Sequence, residues 1–422
     1  MQVLSRLLVI AGVAALAVQE PREARVALQG KDIVYFHGAL ETAVEARPLL
    51  VLLPPNAAAP VDAIREFAAR WQPLAASLGW RLAVPWTAGG APAWTDFGVK
   101  ALEAVVEDCR KRAPVDPSRV YLAGAGDGAS EVFYAAARSP DVWTAALAIQ
   151  GNPKTAIDTN RLFAANTTAT PVLWVVGPES AAEARSLRDR LAAASYNLEL
   201  LAAENPDPQQ IFGWLAGRKR DPAPVKIDCE TGSPAFGRCW WLEVVKFDPA
   251  LRNDVLRSSR VPPGSGAYLD LGGFGFNAAE PGPGVLVSWL PPGYAGPLKP
   301  GDRIVTVAGR ALKDAHDYIE FMDAAEARPA AVLLQRGKER MRFETRIVLP
   351  RREETWTARV QAELLPDLRE VQIISRGAAE MRVNLPSAWL PVRLNWNGTE
   401  LGEVKGAGCL LLTAPSSLGR CQ

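Results

Sequence analysis

The chain has 422 residues, a formal net charge of +1 and 48% hydrophobic residues, enough for two or three globular domains with separate cores. Its basic residues are dispersed and form no aromatic–basic stripe, so no nucleic-acid partner is expected. After the N-terminus no stretch is long and apolar enough to span a bilayer, so no stable membrane insertion is expected.

The first segment carries a positive charge at Arg6, followed by an apolar run, Leu7–Ala17, that ends in Ala15-Leu-Ala17. This short apolar core with a small-residue cleavage site predicts a secretory signal over residues 1–17 and export to the periplasm or beyond. An uncleaved anchor is the alternative.

From residue 25 to 221 short apolar strands alternate with amphipathic helices. The strand candidates are Asp32–Phe36, Leu49–Leu53, Arg81–Pro85, Val120–Ala123, Ala145–Ile149, Val172–Val176 and Leu198–Leu201. Helical stretches lie at Asp62–Ser77, Asp96–Arg112, Gly128–Arg138 and Ala181–Ala194, with a further helix at Pro208–Ala216. Near-continuous apolar strands separated by helices predict a mostly parallel sheet covered on both faces.

Within this region Val120–Ala123 runs into Gly124-Ala-Gly-Asp-Gly128 and then a helix, the strand–turn–helix setting of a G-x-S-x-G nucleophile turn. Asp116–Gly124 and the helix that follows resemble the secreted esterase and polyhydroxybutyrate-depolymerase-like branch of the α/β-hydrolases. The resemblance implies a nucleophile, a histidine base, an orienting acid and backbone donors for an oxyanion. Gly126 stands at the nucleophile position and offers no hydroxyl. Where a His-Gly oxyanion segment is implied, the chain reads Pro54-Pro55-Asn56, and proline has no N–H to donate. Glu179 stands near the acid position, and Ala202–Leu215, where the base is implied, contains no histidine. The two histidines are His37 and His316.

The expectation is therefore a degenerate turn at Gly124, Gly126, Asp127 and Gly128, with Asp127 capping the helix, in a domain that is not an enzyme. Two alternatives remain. Asp127 would be a carboxylate nucleophile if the motif shifts by one, with Ala125 and Ala129 in the glycine places. More broadly, the domain would be an ester or peptide hydrolase with rearranged catalytic residues.

Strands follow at Val225–Cys229 and Trp240–Phe247, and strand character returns at Thr357–Leu364, Glu370–Ser375, Glu380–Leu385 and Pro391–Trp396. Trp396-Asn-Gly398 predicts a hairpin turn. These strands resemble the small β-domain that follows hydrolase-like domains in some secreted bacterial proteins. They predict one all-β sandwich built from residues 222–254 and 352–422 and interrupted by an insertion.

The insertion, 255–351, contains Gly273-Phe-Gly-Phe276, Gly284–Trp289 and Leu298-Lys-Pro-Gly-Asp-Arg-Ile-Val-Thr-Val-Ala-Gly309. These motifs, the helix Asp314–Ala324 and the strands Ala331–Gln335 and Arg342–Leu349 resemble a PDZ domain. The resemblance implies that Gly273, Phe274, Gly275 and Phe276 form a loop that captures a peptide carboxylate while the peptide adds a strand. Ile319 would line the groove, and His316 or, with a one-residue shift, Asp317 would read the ligand at the helix start. The expected partners are protein C-termini or extended peptide segments; an architectural spacer is the alternative.

Cys109 sits in a helix and reads as a buried free thiol. Cys229, Cys239, Cys409 and Cys421 form an even set in an exported chain, which predicts two disulfides. Sequence leaves three pairings open. Cys229–Cys239 as a hairpin staple, with Cys409–Cys421, is the first choice. Zinc is the alternative, but no C-x-x-C or nearby histidine supports it. No metal and no cofactor are expected.

Overall fold

The computed structural model describes residues 20–38, 45–56, 58–86, 95–204, 207–251, 255–277, 280–351 and 356–421. The signal expected over residues 1–17 lies outside them. The chain divides into two compact units, one of residues 1–261 with 355–422 and one of residues 262–354.

The first unit begins with eight strands: β1 (Arg22–Leu28), β2 (Lys31–His37), β3 (Arg47–Leu53), β4 (Arg81–Trp86), β5 (Val115–Ala125), β6 (Ala145–Ile149), β7 (Val172–Val176) and β8 (Leu198–Ala202). They form one sheet in the order β1-β2-β4-β3-β5-β6-β7-β8. β1 and β2 pair antiparallel, as do β2 and β4, and every other neighbouring pair is parallel.

Alternation along β3 shows why the sheet needs cover on both faces. Leu49, Val51 and Leu53 join one core with Val99, Leu102 and Val105 of the helix Asp96–Arg112 and Val132 and Phe133 of the helix Asp127–Arg138. Leu50 and Leu52 join the opposite core with Ile64, Phe67 and Trp71 of the helix Val61–Ser77 and Ile211, Phe212 and Leu215 of the helix Pro208–Ala216. Side chains of period two must leave a strand on opposite faces, so a strand apolar at every position is buried twice.

Two five-stranded sheets follow in the same unit. Lys226–Thr231, Ala358–Leu365, Glu370–Arg376, Val392–Trp396 and Thr399–Val404 form one; Arg238–Cys239, Leu242–Phe247, Ala378–Val383, Leu410–Thr413 and Ser417–Arg420 form the other. Strands from before and after the second unit pair directly, with Thr231 opposite Ala358 and Leu242 opposite Val383. Pairing is antiparallel except between Glu370–Arg376 and Val392–Trp396, which run parallel. Trp241, Met381, Leu394 and Trp396 share the core of these strands. The Asn397-Gly398 turn has φ of 49° and 82°, the two positive values that a tight hairpin needs.

The disulfides pair Cys229 with Cys239 and Cys409 with Cys421, leaving Cys109 free and buried. The first is not a hairpin staple: Cys229 and Cys239 lie on strands of different sheets, so the bond ties the two sheets together. Replacing both by alanine is expected to cost about 2–3 kcal/mol, read as a lowered denaturation midpoint in the non-reduced protein. Burial pushes the Cys109 thiol up to about 12, so it stays protonated and unreactive at neutral pH. Among the described residues no helix is long and apolar enough to cross a membrane. The two disulfides are consistent with export.

In the second unit the sheet order is Tyr268–Leu269, Glu339–Val348, Arg328–Arg336, Arg303–Val307, Val285–Trp289 and Gly275–Phe276, with Arg310–Ala311 pairing beside Arg303–Val307. One helix, Ala315–Asp323, is capped by the Asp314 carboxylate, which accepts from the Asp317 N–H at 2.8 Å.

Candidate functional site

β5 ends at Ala125, and the chain reverses at Gly126 with φ 55° and ψ −121° before the helix Asp127–Arg138 begins. Only glycine takes that backbone without strain. The flanking glycines answer to space rather than to conformation. A Cβ on Gly124 would lie 2.3 Å from the Gly128 carbonyl oxygen, and one on Gly128 would lie 2.4 Å from that of Pro54. Gly128→Ala is therefore expected to cost about 1–3 kcal/mol by overpacking, measured by thermal or chemical denaturation.

Asp127 is the first helical residue and Gly126 is the N-cap, which corrects the expectation that Asp127 caps the helix. Its carboxylate still gains from the positive end of the helix. The shifted frame that would make Asp127 a nucleophile is not met either, because Gly126, not Asp127, occupies the tip of the turn.

The Pro54-Pro55 segment closes over this turn. The Asp127 N–H donates to the Pro55 carbonyl at 3.2 Å, and a Cβ on Gly126 would lie 3.2 Å from Pro55 Cβ. In a G-x-S-x-G site the N–H after the nucleophile is an oxyanion donor. Here the chain's own carbonyl already uses it. His37 is buried at the end of β2, with Nδ1 3.0 Å from the Gly38 carbonyl, and His316 belongs to the second unit. At this turn Gly126 carries no hydroxyl, and the Asp127 N–H is already bonded to the Pro55 carbonyl.

Beside the turn lies a cleft of about 410 Å³ at the C-terminal ends of β5, β6 and β7. Its ionisable lining consists of Asp127, Glu179 and Glu183, with Ser130, Asn152 and Ser180 among the polar neighbours. Asn152 organises one wall: its N–H donates to Ser130 Oγ at 2.9 Å and its Nδ2 to Glu183 Oε1 at 2.9 Å. Trp174 also lines the cleft, its Nε1–H donating to the Gly151 carbonyl at 2.9 Å. The Glu179 carboxylate lies against Gly177, where a Cβ would come within 2.3 Å of it.

Asp127 and Glu179, singled out from sequence, therefore meet in one cleft. Ser130, Asn152 and Glu183 join them without any motif to announce them. Only their places just after strand ends and in a first helical turn could have suggested it. Among the described residues no group of His, Cys, Asp or Glu is arranged to hold a metal ion.

In the second unit Gly275–Phe276 is the last strand of the sheet, paired among the described residues only with Val285–Trp289, and preceded by Gly272 and Gly273 at φ 82° and 78°. Phe274, Phe276 and Tyr318 form an aromatic cluster with ring centroids 5.6–6.3 Å apart, and Ile319 packs against the same core. His316 is half-exposed, with Nε2 3.5 Å from Glu320. Asp317 is committed to the preceding turn, accepting from the Lys313 N–H and pairing with Arg310.

No family model and no curated protein matches the chain. Solved structures do. A thermostable esterase is 17% identical over 49% of this chain and 64% of its own length, TM-score 0.38. A Klebsiella pneumoniae protein described as a dienelactone hydrolase is 17% identical over 47% of this chain and 98% of its own, TM-score 0.37. A fluorophosphonate-binding serine hydrolase of Staphylococcus aureus is 11% identical over 47% of this chain and 98% of its own, TM-score 0.37. The likeness thus spans about half of the chain at low identity. The expectation that the chain is not an enzyme is contradicted by these neighbours, which are themselves esterases and hydrolases.

Proposed function

We propose that the first unit is an exported hydrolase of the α/β-hydrolase type that acts on an ester or peptide bond with rearranged catalytic groups. The observation that carries this reading is the cleft at the strand ends, which Asp127 and Glu179 both line and which has no histidine in its lining. A carboxylate cannot match imidazole as a base at neutral pH, but it can orient and partly deprotonate a water molecule. Asp127 is the group that holds the water, Glu179 is a second carboxylate of the same cleft, and Asn152 fixes Glu183 as part of the wall. The test is turnover of a panel of short esters and peptides by the purified protein, with Asp127→Asn and Glu179→Gln as the variants.

The second unit supports a separate reading, PDZ-like capture of a peptide. Its support is the free edge of Gly275–Phe276 beside the Phe274–Tyr318 aromatic cluster, which offers a strand-addition site next to an apolar pocket. Display of random C-terminal peptides against the full chain is expected to enrich an apolar last residue. Affinity near micromolar, about 8 kcal/mol, is expected, and it should vanish on C-terminal amidation. Failure to enrich any sequence would leave the unit as a spacer.

A further inference from the structure

The structure points to a latch: we propose that the buried Glu230 carboxylate holds a strap, Leu256–Val261, whose opening is local and separable from unfolding of the first unit. The strap runs directly into Pro262, where the second unit starts, and Thr357 follows three residues after that unit ends. Glu230 touches both crossings. Its Oε1 accepts from Ser258 Oγ at 2.6 Å and Thr357 Oγ1 at 2.6 Å, and its Oε2 accepts from the Ser259 N–H at 2.6 Å and Ser259 Oγ at 2.7 Å. Arg376 balances the charge at 3.3 Å, and the Glu230 side chain is fully buried.

The rest of the strap is held in the same polar manner. Arg376 and Arg359 donate to the carbonyls of Leu256 and Arg257. The Ala164 N–H donates to the Ser259 carbonyl at 2.9 Å, and the Val261 N–H donates to the Leu162 carbonyl at 2.8 Å. Only Leu256 and Val261 anchor it apolarly. A segment with few apolar contacts and many bonds converging on one carboxylate should open as a small cooperative unit once that carboxylate is lost. This inference rests on neither functional reading above.

Hydrogen–deuterium exchange on the full-length protein tests it by segment. In Glu230→Gln, which keeps the shape and removes the charge, the amides of Ser259, Val261 and Ala164 are expected to exchange at least about tenfold faster, with Val120–Ala123 and Val172–Val176 within about twofold of wild type. Ser259→Ala removes one hydroxyl only and should raise the same amides about threefold, which keeps the test alive if Glu230→Gln does not fold. Uniform acceleration of strap and central strands in Ser259→Ala would show that the strap belongs to the global fold and overturn the proposal. Unchanged strap exchange in either folded variant would overturn it equally.

Discussion

Asp127→Asn is expected to lower hydrolysis by about 10²–10⁴-fold, with a much smaller change in KM, because it removes the base and keeps the size of the side chain. Glu179→Gln should cost less, since Glu179 lies in the short 178–180 turn against Gly177 rather than on the glycine turn itself. The same geometry predicts what will not rescue or label the protein. Gly126→Ser should give no gain in turnover, because its side chain would meet Pro55, no histidine lines the cleft, and the Asp127 N–H is already bonded to the Pro55 carbonyl. For the same reason a fluorophosphonate probe, which needs an activated serine, should leave the cleft unlabelled. Full turnover in both carboxylate variants would show that the cleft is not where the bond is broken.

What could be read in the sequence divides along physical lines. β3 to β7 announced themselves because buried parallel strands are apolar at nearly every position, as Leu49–Leu53 and Val172–Val176 show. β1 did not, because an outer strand with six exposed or half-exposed residues around Ala24 carries no such run. The disulfide pairing was one of three that the sequence left open, favoured because Cys229 and Cys239 flank a turn, yet its role was hidden, since nothing local says that they enter different sheets. The glycine turn was recognisable by motif, but the Pro55 carbonyl that occupies its N–H comes from a strand end some seventy positions earlier in the chain. Glu183 and Asn152 illustrate the general difficulty: a cleft at the ends of parallel strands collects residues from separate loops, and their convergence is a property of the sheet order alone.

A stability effect as large as that of the disulfide is expected in the second unit, at Asp302. This residue follows Gly301 at the turn into Arg303–Val307 and is almost wholly buried. Burial alone would raise its pKa, but the Arg336 guanidinium and the Lys299 N–H outweigh that and hold it below the usual carboxylate range. The pairing is bidentate, Nε to Oδ1 at 2.7 Å and Nη2 to Oδ2 at 2.8 Å, with Lys299 N–H donating to Oδ2 at 2.7 Å. Breaking a fully buried pair costs about 3–5 kcal/mol. Because about a third of the Arg336 side chain is exposed, water takes over part of its charge, and Asp302→Asn should cost about 2–3 kcal/mol. A depressed folded pKa stabilises above the unfolded value, and that stability is lost as pH falls through the folded one. Wild-type protein should therefore lose stability in this unit from about pH 4 downward, while Asp302→Asn lacks that component of the slope. Exchange protection of Arg303–Val307 measured at neutral pH and at low pH reads both effects. The gap between wild type and variant should narrow on acidification, and a gap that stays constant would mean that packing, not the ion pair, makes Asp302 matter.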